Sequence, residues 1–254
     1  MIKSEKNKKR AFYNKILLFI SLFLLVAAIV TLLIKPIQDY FRNKELEKLV
    51  LTLEKEVLSN ADIEKKNIQN DENSDENFSI PTMTFIVDKD KMIVPGEEVE
   101  GFADEEYDID AILENIPPQV TLTALGTIQI PSIELHIPLL NQAGVIDLRY
   151  GAGMLSGTAN PGTAGNMVIL GHNMRARGSI FNRLHEVQMG DEIRVTLLDK
   201  MTYTYIVDEI VSPLEPENLP DYIGIDSGSG KQITLVTCTN ENGSHRRLVI
   251  GHLQ

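Results

Sequence analysis

From Gln119 to Gln254 the sequence is cut into short β-prone runs by turn-forming residues, and this rhythm restricts the fold more than any other feature. The runs are Gly126–Ile130, Ile133–Ile137, Asn166–Leu170, Glu192–Leu197 and Tyr203–Val207, and two more flank Cys238, Ile233–Val236 and Arg246–Ile250. Each is strand-length and rich in Val, Ile, Thr or Tyr, with Gly, Pro, Asn and Asp between them. Such punctuation implies an all-β sandwich or barrel. Phe181-Asn182-Arg183-Leu184, followed by Met189-Gly190-Asp191-Glu192, reads as a short helix and then a tight turn into a strand.

The N-terminal half is different. An apolar run, Ile16 to Ile34, is interrupted only by Ser21 and Thr31, and Lys3, Lys6, Lys8, Lys9, Arg10 and Lys15 precede it. A helix of about 20 apolar residues spans a bilayer's hydrocarbon core. The basic flank is expected to stay in the cytoplasm, with the rest of the chain outside. A cleaved signal peptide would have a shorter apolar core and a small-residue cleavage step, whereas Ile34-Lys35-Pro36-Ile37-Gln38 follows here. The expected organisation is a cytoplasmic basic tail (1–15), a transmembrane signal anchor (16–34), an extracytoplasmic stalk with an acidic linker or appendage (35–118), and a β domain (119–254). Within the third part, Leu46, Leu49, Val50, Leu53 and Val57 fall at helical spacing, and Thr84–Val87 has strand character. Asn60 to Ser79 reads as a solvated linker. The acidic run from Glu97 to Glu114 has no intervening Lys or Arg; it reads as a self-repelling spacer, or as an appendage folding back over the active site. Its spacing does not match a helix-loop-helix calcium loop, so no cofactor is expected, with calcium the one conceivable ion. The net charge of -12 argues against nucleic acid as a partner.

The chain has one cysteine, Cys238, so no intramolecular disulfide can form and reactivity is the reason to examine the thiol. It ends Thr234-Leu235-Val236-Thr237-Cys238; turn formers follow, and then Arg246 opens the next β-prone run. Cysteine and arginine at facing strand ends meet across a hairpin-like connection. A guanidinium beside a thiol is expected to lower its pKa from about 8.5.

Thr-Leu-Val-Thr-Cys, the arginine on the following strand and the histidine in Leu170-Gly171-His172-Asn173-Met174 resemble the signature of sortases, membrane-anchored cysteine transpeptidases of Gram-positive bacteria. The resemblance covers roughly Gly126 to Gln254. It implies a closed eight-stranded β-barrel with short connecting helices, preceded here by the transmembrane helix and linker. It also implies Cys238 as nucleophile toward a Leu-Pro-x-Thr-Gly-type sorting signal, through a thioacyl intermediate resolved by an amine. His172 would be general acid and base, its ordinary pKa of about 6.5 suiting both directions. Arg246 would bind the signal backbone and stabilise the oxyanion, with Arg247 alternating to the other face. Thr237 is a candidate substrate-binding residue or a structural one. The connection Ser212–Pro220 would recognise the signal, with Leu214, Leu219 or Ile223 as apolar lining. His136, His185, His245 and His252 are the rival histidines, His245 being turned away if Arg246 faces the thiol.

The partners implied are sorting-signal-bearing secreted proteins and, as amine acceptor, a lipid-linked peptidoglycan precursor. A single N-terminal anchor and a compact barrel look like class A or class D members. The alternatives are a pilin-polymerising member, a cysteine hydrolase, and a non-catalytic membrane-tethered binding module.

Overall fold

The computed structural model describes residues 2–64, 80–88, 115–173, 180–224, 230–239 and 244–254. The acidic run Glu97–Glu114 and most of the linker lie outside them. Two compact units divide the chain, Met1–Arg42 and Asn43–Gln254. The first is helical, part of α1 (Ile2–Glu64). Its stretch Asn14–Ile34 is 21 residues long and apolar enough to cross a membrane. Leu17, Phe19, Phe23 and Leu32 there are exposed, so among the described residues no protein core covers this surface.

The second unit is built on a nine-stranded sheet ordered β1-β2-β3-β4-β5-β8-β9-β7-β6, with β6 pairing back onto β2. The strands are β1 (Met83–Asp88), β2 (Gln119–Ile130), β3 (Leu135–Leu140), β4 (Ala152–Met154), β5 (Gly165–Leu170), β6 (Glu192–Leu197), β7 (Thr202–Leu214), β8 (Lys231–Cys238) and β9 (Arg246–Leu253). The β2–β6 ladder closes eight of them into a barrel, as expected, and leaves β1 outside it. Closure removes the open edges that an eight-stranded sheet would otherwise present.

Gly126 makes this closure possible. At Gly126 β2 shifts register against β3 and begins to pair with β6. A Cβ there would lie 1.9 Å from the Thr196 carbonyl oxygen, and φ is +156°. Only glycine lets the two backbones approach so closely.

Alternation along the strands explains the core. In β6, Ile193, Val195 and Leu197 are buried, while Glu192, Arg194 and Thr196 remain partly exposed. These three apolar side chains fill the barrel with Ile128, Met167, Ile169, Ile233, Leu235 and Val249. The run Ile233–Cys238 is buried on both faces, because the outer face of β5, β8, β9 and β7 is also covered. There Val168, Leu170, Val236, Leu248 and Ile250 pack with Leu148, Leu214, Leu219, Tyr222 and Ile223. Leu219, Tyr222 and Ile223 of this cover come from the β7–β8 connection, which holds a single-turn helix, α2 (Pro220–Ile223), and Leu148 comes from the turn before β4.

Two described pieces of the 35–118 stretch join this unit. β1, on Thr84–Val87 and its neighbours, pairs antiparallel with the first half of β2. Val50 and Leu53 of α1 are buried, and Leu53 packs with Val87, Val120, Leu122 and Leu140. The helical spacing of Leu49, Val50 and Leu53 in the sequence thus serves a packed face in part.

Candidate active site

β5 and β8 are parallel neighbours, so both chains leave the sheet at the same end. The ladder runs to Leu170↔Val236 and then continues through three further bonds. The Gly171 N–H donates to the Val236 carbonyl (3.1 Å). The Thr237 hydroxyl donates to the Gly171 carbonyl (2.7 Å), and the Asn173 amide donates to the Cys238 carbonyl (2.7 Å). These bonds bracket His172 and Cys238 and set them side by side. Gly171 is needed at this crossing, because a Cβ there would meet the Phe181 ring at 2.4 Å.

The third residue comes from β9. Its antiparallel ladder with β8 ends on the pair Cys238↔Arg246. Side-chain alternation decides which face each residue takes. Cys238 follows Val236, and Arg246 precedes Leu248 and Ile250, all on the covered outer face. Val168 and Leu170 of β5 lie on that face too, and His172 is the next residue but one after Leu170. Arg247, opposite Thr237, alternates to the side of Val249 and the barrel interior. Cys238 and Arg246 therefore share one outer face at facing strand ends, His172 lies two residues beyond the end of the parallel neighbour β5, and Arg247 alternates away.

Thr237 takes the interior-facing side with Leu235, is 1% exposed, and gives its hydroxyl proton to Gly171. That bond staples the chain leaving β5 to β8.

The electrostatics differ from the sequence expectation. Cys238 is 1% exposed, and burial pushes its thiol above the ordinary range; the Arg246 charge offsets this only in part. The expected net lowering by arginine is thus corrected, because desolvation of the thiolate outweighs the nearby charge. His172 is lowered to about 4, first by burial and then by the Arg149 charge. An imidazole near 6.5 is likewise corrected. At neutral pH the resting pair is a neutral thiol beside a neutral imidazole. Arg149 is buried at 1% exposure, in the 3-10 turn Asp147–Arg149 that precedes β4. Neither Arg149 nor Asn173 is evident from the sequence, where a buried arginine looks like any surface one.

The rival histidines are occupied elsewhere. His136 meets Gln129, His185 meets the Asn182 carbonyl, and His252 meets Asp208. His245 turns to Glu215 at 3.1 Å. Leu214, Leu219 and Ile223 pack on the outer wall beside the site, where the expected apolar lining would lie. Among the described residues no cluster of His, Cys, Asp and Glu is grouped as metal ligands.

Residues 128–254 match the family profile described as "Sortase domain". Sortase A of Streptococcus agalactiae serotype III (strain NEM316) is 31% identical over 150 residues, covering 57% of this chain and 59% of that protein. Sortase A of Bacillus anthracis is 30% identical over 127 residues, covering 50% of this chain and 57% of that protein. The chain thus spans less than two thirds of the length of these curated relatives. Among solved structures, Streptococcus agalactiae sortase C1 is 29% identical with a TM-score of 0.47, covering 52% of this chain and 69% of that one.

Proposed function

The chain belongs to the sortase family, and from that premise we propose that it is a membrane-anchored cysteine transpeptidase acting on Leu-Pro-x-Thr-Gly-type sorting signals. One observation carries the reading: Cys238 and Arg246 are direct partners across β8 and β9, and His172 follows two residues after the end of the parallel neighbour β5.

The chemistry follows from the neutral resting pair. As the signal's Thr–Gly carbonyl approaches, the Cys238 Sγ gives its proton to His172 and attacks the carbonyl carbon. The tetrahedral intermediate collapses, the C–N bond breaks, and the imidazolium returns its proton to the departing glycine amine. A thioester on Cys238 remains. An incoming amine then loses a proton to His172 and attacks the thioester; the new amide forms and the thiol recovers its proton. Arg246 would supply the fixed positive donor to the developing oxyanion, an effect typically worth about 10²–10³-fold in rate. A low imidazole pKa favours prompt return of the proton to the leaving amine.

The acceptor we infer is an amine of a lipid-linked peptidoglycan precursor, with secreted, signal-bearing proteins as donors. The apolar helix Asn14–Ile34 supports a single-pass anchor, and the Lys- and Arg-rich flank supports a cytoplasmic N-terminus. The test is to incubate the full chain in detergent micelles with a sorting-signal peptide, with and without an added amine, and identify the products. Ligated peptide that disappears in Cys238→Ala, His172→Ala and Arg246→Ala is expected. Cleavage that never yields an amine adduct would replace transfer with hydrolysis, and an inert wild type would remove the proposal.

A further inference from the structure

His245 sits one residue before the arginine that faces Cys238, and its ring and its carbonyl both make bonds that bear on the site. The ring Nε2 meets Glu215 Oε1 at 3.1 Å, and Nδ1 meets the Ser244 hydroxyl at 2.8 Å. A carboxylate only accepts, so Nε2 carries the proton in this arrangement. The His245 carbonyl accepts the Thr239 N–H (3.0 Å) and the Arg246 Nη1 (3.3 Å). Thr239 immediately follows Cys238. Glu215 immediately follows Leu214, the last residue of β7 and the ladder partner of Arg246. One residue therefore ties the start of the β7–β8 connection to the guanidinium and to the chain leaving the thiol.

We propose that His245 is a positioning residue, clasping Glu215 so that the peptide unit holding the Arg246 guanidinium is fixed when a peptide binds. The clasp stands on geometry alone; its consequence for turnover rests on the transpeptidase reading. The pair is half-exposed, 32% for His245 and 55% for Glu215, so its loss costs little global stability. A folded variant can then report on positioning separately from folding.

For an exposed charged hydrogen bond, His245→Ala in the full chain in micelles is expected to raise KM for a sorting-signal peptide about threefold, with kcat within about twofold. Glu215→Ala should do the same, the double variant should be no worse than either single one, and His245→Gln, which keeps a donor toward Glu215, should recover most of the loss. Hydrogen–deuterium exchange provides an arm independent of substrate: amides of residues 216–224 should exchange faster in His245→Ala and return toward wild type in His245→Gln. Wild-type exchange in His245→Ala, or additive effects in the double variant, would overturn the clasp. If the wild type transfers no peptide, the exchange arm still decides the clasp, and that failure counts against the transpeptidase reading alone.

Discussion

Thr237→Val separates a hydroxyl that holds the barrel from one that holds substrate. The side chain is 1% exposed, and its bond to the Gly171 carbonyl is 2.7 Å long. Valine keeps the shape and removes the donor, so a buried carbonyl loses that bond, which costs about 1–3 kcal/mol. For a folded unit of this size, about 2–4 °C of melting temperature accompanies each kcal/mol, so a fall of about 2–12 °C is expected. Thr237→Ser keeps the donor and should stay within about a third of that loss. Because Gly171 precedes His172, the variant should also lower kcat while leaving KM for a sorting-signal peptide nearly unchanged. Thermal unfolding and steady-state kinetics on the full chain in micelles read both quantities. An unchanged melting temperature with a raised KM would refute the staple and return Thr237 to the substrate-binding role.

Three other outcomes follow. The Cys238 thiol lies above the ordinary thiol range, so its alkylation rate should keep rising at pH values where a free cysteine has levelled off, and Arg246→Gln should shift that curve further up. His172 titrates near 4 folded and about 6.5 unfolded, so the unfolded chain takes the proton first: this contribution is complete above about 6.5, is lost as pH falls toward 4, and His172→Gln should flatten that part of the stability–pH curve. Gly126→Ala places a Cβ against the Thr196 carbonyl where β2 meets β6, and denaturant unfolding should show a loss of about 3 kcal/mol or more, or no closed barrel at all.

Where side-chain chemistry and strand period agree, the sequence is easy to read. Glu192–Leu197 alternates cleanly and is β6; the apolar run before Cys238 is a wall covered on both faces. Alternation lets only one of Arg246 and Arg247 face the thiol, and the resemblance, not the period, points to Arg246. β4 is not legible, because Ala152-Gly153-Met154 is short, has no β-branched residue, and owes its pairing to neighbours on both sides. β7 runs past Val207 to Leu214 through polar residues and two register shifts, so a period-based reading stops early. Ile133 belongs to a 3-10 turn, and β3 begins at Leu135, because Pro131 favours a helical turn at its start. The pKa values depend on which groups are desolvated together, and no local pattern encodes that. Cys238 and His172 stand out in the sequence by type and order, while the shifts that burial gives them do not.

The covered, protonated state of Cys238 has a consequence for survival of the chain as well as for turnover. Peroxides and small disulfides react with the thiolate, and a sulfur shielded from water and kept neutral meets them slowly. With no second cysteine to resolve a mixed disulfide, such a thiol gains from staying dormant until a neighbouring base draws off its proton, which on the proposed reading is His172 once a peptide is bound.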